Sequence, residues 1–465
     1  MLLVHPVHEI LRQIPALVGS VVLGSATGNP MWAVAGLVLI VGYGLARWFT
    51  TAYLIGVDEV QLRTGVLQRK VLSVPRNRIR SVSTDARLLH RLLGLTVLRL
   101  STGQEAKGEG AFALDAVEAS QVPGLRAVLL ADSLPPADEE ATGRVLARWQ
   151  PSWLRYSPLS FTGLAMIAAA VGLVYQAGAG AALQDSRLAR SGLDAAERFG
   201  VAATVVVVAV VVLVASVVLS VLRSLVTYGN LVLRRDAEVL HLEHGLLRVR
   251  ENTFDMRRLR GGTLREPLLV RLFGGARLDA VMTGVDGAGE ASLLLPPCPR
   301  ATAEAVLLDL IDRPDVVTGP LRAHGPAATR RRWTRALMLP AALLIAIVVL
   351  PAPVWLWPTW AVLTVCCALL ALDRSRALGH RVDADWLVAR AGSLERRRDC
   401  IAAAGLIGWT VRQTLLQRRA GVATLIAATA AGVKSYRVID VPAELAWTIA
   451  AAASPWVADN AWART

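Results

Sequence analysis

Arginines at alternate positions are the residues of this chain whose types and spacing most clearly indicate chemistry. Arg76, Arg78 and Arg80 alternate, and Arg258 and Arg260 stand at equivalent positions farther along the chain. Because side chains of a strand alternate between its two faces, such arginines would share one face. That face could bind anionic lipid headgroups or an acidic partner, since each cation near an anionic membrane contributes about 1 kcal/mol. A solvated strand face is the alternative interpretation.

Residues of metal and catalytic sites form no comparable pattern. His5, His8 and Glu9 could hold a metal, but the helical His-Glu-x-x-His order is absent, which favours ordinary interfacial residues. The sequence shows no glycine-rich phosphate loop, no Gly-x-Ser-x-Gly motif and no metal-ligand spacing among its 4 cysteines. We therefore predict no enzyme activity, no metal and no cofactor.

A threefold internal repeat must position these arginines. Strand-like runs end at Gly65, Gly245 and Gly392, and the same residue types follow each glycine at the same spacings. These recurring positions are Ile79, Leu259 and Leu406; Arg91, Arg271 and Arg418; Gly94, Gly274 and Gly421; and Leu98, Leu278 and Leu425. Such recurrence predicts one fold used three times. We interpret the recurring glycines as tight backbone positions and the recurring arginines as local caps or ion-pair partners.

Composition indicates a membrane protein with charged soluble parts. The chain has 465 residues, of which 54% are hydrophobic, and its formal net charge is +14. Both facts fit if apolar residues concentrate in membrane spans and charges in the soluble segments. Positively charged cytoplasmic loops account for the basic balance, so we predict no nucleic-acid partner.

Six apolar stretches in three pairs are predicted to cross the membrane. They cover residues 14–26 and 31–48, 159–175 and 201–222, and 336–350 and 354–372, the first and fifth being short. The segments between the pairs are rich in arginine, so the positive-inside rule places both termini and all soluble parts in the cytoplasm. No charged residue lies well inside a predicted span, which argues against an ion-coupled transporter.

Basic residues beside the predicted spans are expected to anchor helix ends to lipid headgroups. They are Arg330, Arg331, Arg332 and Arg335, and Arg144, Arg148 and Arg155 among Trp149, Trp153 and Tyr156. Another basic run, Arg396 to Arg398, is predicted to lie on a solvated edge strand, where charges discourage unwanted pairing.

Each pair of spans precedes a segment of short alternating runs that predicts an antiparallel β-rich module. In the first module, strands are predicted over 51–56, 60–64, 66–74, 79–84, 95–101 and 111–114, with a helix over 115–130. The second and third modules are predicted to end in helices over 301–311 and 443–453. About seven strands with one closing helix correspond to a small barrel or sandwich.

The order of these motifs resembles the bacterial pleckstrin-homology (PH) membrane family of the YdbT type. The motifs that carry the resemblance run from Tyr53 to Ile55, Val60 to Leu67, Val74 to Val82 and Arg91 to Leu95, with His5-Pro6 and Arg155 to Ser160 before two of the spans. The second module departs from the pattern at Asp255 to Leu259, and the third at Cys400 to Leu406. The resemblance implies an α+β membrane protein of three repeats, each a transmembrane helical hairpin followed by a cytoplasmic PH-like β-barrel or sandwich with a C-terminal helix.

This architecture predicts eight consecutive regions. They are a transmembrane hairpin at 1–50, a PH-like domain at 51–133, a juxtamembrane linker at 134–156, a second hairpin at 157–225, a second PH-like domain at 226–315, a basic linker at 316–335, a third hairpin at 336–374, and a third PH-like domain with a tail at 375–465.

Two functions are compatible with this architecture. The first is a non-enzymatic multi-pass scaffold in a bacterial cell membrane, whose cytoplasmic PH-like modules bind membrane lipids or a partner protein. The resemblance implies that this partner is a smaller membrane protein with one copy of the same unit, and that the pair serves envelope defence against membrane-active peptides. The alternative is a transporter or sensor of a lipid or peptide that uses the six-helix membrane unit. A polar cavity at the membrane midplane would favour transport, and a dry bundle would favour the scaffold.

Overall fold

The computed structural model of this chain describes most of the second and third repeats and parts of the first. The residues described are 31, 34, 38, 42, 52–56, 58–64, 69–76, 81–86, 94–101, 112–122, 124–125, 143–160, 162–176, 200–284, 292–350 and 353–458. The chain divides into two compact units, Met1–Arg148 with Asn230–Arg258, and Trp149–Gly229 with Leu259–Thr465.

The described strands fall into three sets of six, with one additional strand. The first repeat contains β1 (Ala52–Ile55), β2 (Glu59–Thr64), β3 (Lys70–Pro75), β4 (Ser81–Ala86), β5 (Leu95–Ser101) and β6 (Phe112–Glu118). The additional strand β7 (Arg144–Arg148) precedes β8 (Val232–Asp236), β9 (Val239–His244), β10 (Val249–Asp255), β11 (Leu259–Pro267), β12 (Gly275–Met282) and β13 (Leu293–Pro299) of the second repeat. The third repeat contains β14 (Gly379–Val382), β15 (Trp386–Ala391), β16 (Glu395–Ala402), β17 (Leu406–Arg412), β18 (Val422–Thr429) and β19 (Ser435–Pro442).

Nine α-helices lie within the described residues. They are α1 (Thr162–Gln176), α2 (Val201–Tyr228), α3 (Leu268–Leu272), α4 (Arg300–Ile311), α5 (Pro314–Val317), α6 (Gly325–Val349), α7 (Leu356–Ala377), α8 (Leu415–Arg419) and α9 (Ala446–Ala453). Short 3-10 helices cover Ala119–Gln121, Pro151–Ser160, Met256–Arg258, Ala403–Gly405, Ala443–Leu445 and Pro455–Val457.

The pairing register repeats from one repeat to the next, which confirms the internal repeat read from the sequence. Equivalent residues of the second and third strands face each other as Val60 and Val74, Leu240 and Phe254, and Leu387 and Ile401, and all six are buried. The recurring Leu98, Leu278 and Leu425 each have 0% of their surface exposed. These paired residues and the three recurring leucines are therefore core positions of one fold used three times.

The sheets do not stop at the boundaries between repeats. In the first unit, the sheet order is β6-β5-β4-β10-β9-β8-β7, and β1-β2-β3 forms a separate sheet. In the second unit, the order is β13-β12-β11-β16-β15-β14, and β17-β18-β19 forms a separate sheet. The last three strands of one repeat thus share a sheet with the first three strands of the next. The expectation of three separate modules did not include this joining.

The core of the third repeat lies between its two sets of three strands. Leu387, Leu425 and Val438 come from three different strands, are at most 1% exposed and belong to one apolar cluster, which Ile449 of α9 joins. Val281 of the second repeat belongs to the same cluster, so the core continues from β12 into the third repeat.

The recurring glycines Gly94, Gly274 and Gly421 turn the chain into the fifth strand of each repeat. Their φ angles are +65°, +73° and +65°, in the left-handed region that favours glycine. Each carbonyl accepts a hydrogen bond from the residue just after the sixth strand, namely Ala119, Arg300 and Ala443. A Cβ at any of the three glycines would meet nothing within 4 Å, so backbone conformation explains the residue type.

Three of the described helices are long and apolar enough to cross a membrane: Ala202–Tyr228, Gly325–Val349 and Leu356–Ala377. At 1.5 Å per residue, each exceeds the roughly 30 Å thickness of a hydrocarbon core. A further pair, Pro151–Ser160 with Ala165–Gly172, is bent by 53° and brings the number to four if the pair makes one span. The first two predicted spans lie almost wholly outside the described residues.

Several predicted boundaries differ from the structure. Residues 115–118 were expected in a helix but belong to β6, which pairs with β5 and buries Val117. The fifth apolar stretch is part of a helix that already begins at Gly325, so the predicted basic linker at 316–335 is largely helical, with α5 at its start. Each repeat has six described strands instead of about seven.

Candidate functional site

The three described arginines of the predicted binding surface, Arg76, Arg258 and Arg260, do not share one strand. Arg78 and Arg80 lie outside the described residues, and Arg76 follows the end of β3, its N–H donating to the Asp58 carbonyl at 2.9 Å. Arg258 lies in the 3-10 turn Met256–Arg258, with Nε 3.5 Å from Asp255 Oδ2, whereas Arg260 lies in β11. A 3-10 turn interrupts the alternation that a strand would have provided, so the shared strand face is wrong for the second repeat.

A buried aspartate joins the third repeat to the helix α6. Asp440, near the end of β19, has no exposed surface and accepts hydrogen bonds from Arg331 and from Gln417 Nε2, the latter at 2.8 Å. Arg332 Nη2 lies 2.6 Å from the other carboxylate oxygen of Asp440. Both arginines are almost completely buried, so two adjacent cations of α6 share one carboxylate. This contradicts the expectation that they reach lipid headgroups, since their charges are used inside the protein.

The conformation of Asp440 explains how its carboxylate reaches these cations. Its φ is +59°, in the left-handed region that aspartate tolerates better than most residues. His324, which directly precedes α6, lies within hydrogen-bond distance of the same strand, with Nδ1 2.8 Å from the Ile439 carbonyl oxygen. The start of α6 is therefore held by consecutive residues of β19.

A second aspartate attaches the helix α7 to two repeats at once. Asp373 Oδ2 accepts a hydrogen bond at 2.8 Å from Arg271 of α3, and Oδ1 accepts one at 2.6 Å from Arg396 of β16. Arg271 belongs to the second repeat and Arg396 to the third, so one carboxylate bridges both. The recurring Arg271 thus has a partner far away in sequence, and not the local partner we expected.

Of the other recurring positions, Arg91 and Gly65 lie outside the described residues, and Arg418 lies in the last turn of α8.

The basic run Arg396 to Arg398 lies on an inner strand, which contradicts the expected solvated edge. β16 pairs with β15 on one side and β11 on the other. Arg398 is buried and donates to the carbonyls of Val316 at 2.9 Å and Gly319 at 3.0 Å. The predicted linker is therefore packed against the third repeat, with Val316 fully buried.

Carboxylates and arginines also accumulate where β11, β12 and β16 meet. Arg265 and Arg277 both lie within 3.0 Å of the nearly buried Asp279, and Thr263 Oγ1 donates to Asp399 at 2.8 Å. Loss of water around Asp279 and Asp399 raises the pKa of both carboxyls despite these neighbours. Opposite charges lie next to one another here, which is typical of an internal ion-pair network.

Two histidines make an unusual buried contact beside α6. The rings of His324 and His380 have centroids 5.0 Å apart, and both residues are about 3% exposed. Burial lowers the pKa of His324 and lowers the pKa of His380 to about 4. Both rings are therefore neutral at physiological pH.

The described residues contain no group of three or more His, Cys, Asp or Glu placed to hold a metal ion. His5, His8 and Glu9 lie outside them. A cleft of about 170 Å³ on the seven-stranded sheet is lined by polar residues, including Arg234, His241 and Glu251. This volume is below the roughly 300–1,000 Å³ of typical small-molecule sites.

Sequence reasoning missed the two aspartates because their role depends on the partners that folding brings to them. A signal was nevertheless present in each case. Asp440 interrupts the apolar run from Val438 to Val441, and Asp373 directly follows the apolar stretch of α7. A single acidic residue within or beside an apolar segment indicates a buried partner, because an unpaired charge there would be costly.

Repeats of six antiparallel strands with a closing helix, beside long apolar helices, define a membrane-associated protein built from PH-like modules. The family described as "Bacterial PH domain" matches the chain three times, over residues 10–132, 190–317 and 334–452. The chain belongs to this bacterial PH-domain family, as its motifs predicted. Comparison with curated proteins gave no match, and comparison with solved structures gave none.

Proposed function

We propose that the protein is a non-enzymatic scaffold that spans a bacterial cell membrane several times, with its termini and PH-like repeats in the cytoplasm. The observation that carries this proposal is the attachment of sheets to membrane helices through Asp440 and Asp373. The Asp440 pairs are buried, so removing either partner leaves an uncompensated charge, and the half-buried Asp373 adds a second point of attachment. A β module held in this way presents a defined surface at the membrane, which is what a scaffold requires.

Anionic lipid and a smaller membrane protein with one copy of the unit are the partners we propose for that surface. PH domains commonly bind lipids, and the arginines Arg76, Arg78, Arg80, Arg258 and Arg260 are the proposed contacts. The resemblance to the YdbT type supports the protein partner and a role in envelope defence against membrane-active peptides.

Charge reversal of four of these arginines tests the lipid proposal. The full chain carrying Arg78→Glu, Arg80→Glu, Arg258→Glu and Arg260→Glu is expected to bind phosphatidylglycerol at least about tenfold more weakly, because each cation contributes about 1 kcal/mol. The measurement is native mass spectrometry of the detergent-solubilised protein titrated with phosphatidylglycerol, and with phosphatidylcholine for comparison.

A matched control reverses four exposed arginines elsewhere in the soluble parts: Arg63, Arg234, Arg419 and Arg437. It has the same net charge as the test variant and is expected to keep native affinity. Equal affinities in the two variants would show that net charge, and not this set of arginines, attracts the lipid.

Isolation of the protein from its native membrane tests the partner proposal. Mass spectrometry of the purified complex is expected to find a stoichiometric small membrane protein with one PH-like unit. A co-purifying lipid or peptide without any protein would instead favour the transporter or sensor.

A further inference from the structure

The two junctions between repeats use equivalent strands in the same register. β4 pairs with β10 and β11 pairs with β16, so the fourth strand of one repeat pairs antiparallel with the third strand of the next. Ser83 lies opposite Asn252 at the first junction, and Thr263 lies opposite Asp399 at the second. Ser83 and Thr263 are equivalent, because each follows the recurring glycine of its own repeat, Gly65 or Gly245, at the same spacing. Asn252 and Asp399 are equivalent for the same reason, counted from Gly245 and Gly392. The junction is thus a repeated interface with a defined geometry.

The same two kinds of strand stand at the ends of the series. β17 is the fourth strand of the third repeat, and β18 is its one neighbour among the described strands. β3 is the third strand of the first repeat, and within the same part of the chain it pairs with β2 alone. β17 and β3 therefore each have one edge without a described neighbour, and it is the edge that their equivalent strands use at both junctions.

β17 has the local features of the junction strand β11. Both strands shift register against the following strand at the same place, between Leu259 and Gly261 and between Leu406 and Gly408. A Cβ at Gly261 would lie 1.9 Å from the Cys400 carbonyl oxygen of the neighbouring strand, whereas a Cβ at Gly408 would have only the Ala428 side chain nearby, at 3.8 Å. At the first junction the pairing begins at Val82, so the equivalent Ser81 lies outside it. The junction that has a glycine at this position is thus the longer of the two, and β17 has a glycine, Gly408, at the same position.

Residues of β17 are more exposed than the equivalent residues at the second junction. At the second junction Thr263 and Leu264 are 5% and 2% exposed, whereas the equivalent Thr410 is exposed and Val411 is half-buried. Leu268 is half-buried and donates its N–H to the Leu394 carbonyl at 2.7 Å, whereas the equivalent Leu415 is 78% exposed. An open strand edge beside exposed apolar residues readily pairs with another chain.

We propose that β17 pairs antiparallel with β3 of a second copy of this chain, in the register of the two junctions. That register places Val411 opposite Val71, which is 60% exposed in β3. The contact joins two different surfaces, so each copy still has one of the two strand edges free to bind a further copy. Repetition of the contact builds rings or rows in the plane of the membrane. This inference deepens the scaffold proposal by naming a partner surface, and its test does not depend on lipid binding.

Disulfide trapping between two differently tagged full-length chains tests the contact. One chain carries Val71→Cys and the other Val411→Cys, and both have Cys366 and Cys367 replaced by alanine. The remaining Cys298 and Cys400 are buried, which raises the pKa of each thiol to about 12 and keeps it unreactive. Directly opposite residues in an antiparallel pair have Cα atoms about 4.5–5.5 Å apart, within the range that a disulfide bridges.

Oxidation of the co-expressed chains in native membranes is expected to give a dimer carrying both tags, and a single chain with both substitutions is expected to give a ladder of higher species. The matched control pairs Val71→Cys with Ile407→Cys, which is also exposed but four residues out of register, and should give at least about tenfold less dimer. Trapping at both positions alike, a disulfide formed only within one chain, or the absence of any mixed dimer would each overturn the proposal. If the cysteine variants still bind lipid normally, a missing mixed dimer would count against the β17–β3 contact and not against the lipid proposal.

Discussion

Asp440 shows how a single residue can connect a sheet to a helix that is long and apolar enough to cross a membrane. Its carboxylate is wholly buried and lies against two arginines of α6 that are themselves almost completely buried. The three groups together carry one excess positive charge, so the carboxylate is the main compensation for both cations. Its negative charge, more than its shape, is the property that this position requires.

Asp440→Asn is therefore expected to destabilise the protein by about 3–5 kcal/mol, because a buried ion pair that loses one partner leaves uncompensated charge. The measurement is denaturant unfolding of the full chain in detergent. Asp385→Asn is the matched control, because Asp385 makes the same kind of pair with Arg313 but is 71% exposed, and its loss should cost less than about 1 kcal/mol. Equal effects of the two substitutions would contradict the importance of burial.

At the scale of single elements, glycines define the turns that make the repeat recognisable. Gly65 of the first repeat lies outside the described residues, but the equivalent Gly245 and Gly392 have φ angles of +107° and +104°. A Cβ at Gly392 would also lie 2.0 Å from the Glu395 carbonyl oxygen. Gly421 differs, because its φ of +65° is accessible to other residues at moderate cost and its surroundings are open.

We expect Gly392→Ala to destabilise the third repeat by at least twice as much as Gly421→Ala. The substitution at Gly421 should cost about 1–2 kcal/mol, the cost of a left-handed backbone for a residue with a Cβ. The one at Gly392 adds a clash with backbone that cannot move without opening the β15–β16 hairpin. Thermal unfolding of the two full-length variants measures the order, and the reverse order would refute the steric argument.

The sequence predicted elements well where a local pattern decides the structure. Recurring glycines and leucines identified the repeat, and alternating runs predicted most strands of the first repeat to within a few residues. The partners of Arg271, Arg331 and Arg396 could not be predicted, because each partner is brought close only by tertiary packing. The same reason explains the error over Arg398, since local alternation cannot distinguish an edge strand from an inner one.

At the scale of the whole molecule, each compact unit contains one sheet that is shared by two successive repeats. The fourth strands β4 and β11 are each covered by the third strand of the next repeat, so β10 and β11 of the second repeat have a neighbour on both sides. The orientation that we propose for the repeats relative to the membrane has a direct consequence for chemical labelling.

A membrane-impermeant maleimide applied to intact cells is expected to label Val354→Cys but not Asp385→Cys. Val354 is 83% exposed just before α7, at the end proposed to face outward, and Asp385 lies between β14 and β15 on the proposed cytoplasmic side. Both variants have Cys366 and Cys367 replaced by alanine, and both should be labelled equally after permeabilisation. Labelling of Asp385→Cys in intact cells would reverse the proposed topology.

The pairing of β4 with β10 also governs the order of events during translation. Thr84 and Glu251 are in contact across this pair although 167 residues separate them, and the helices α1 and α2 lie between. At about 5–20 residues per second, the ribosome needs roughly 10–30 s to produce the strand that covers β4. On the topology that we propose, α2 crosses the membrane and is inserted within that interval, before the sheet of the first repeat is complete. Ribosome stalling after residue 230 would hold the nascent chain with this edge open.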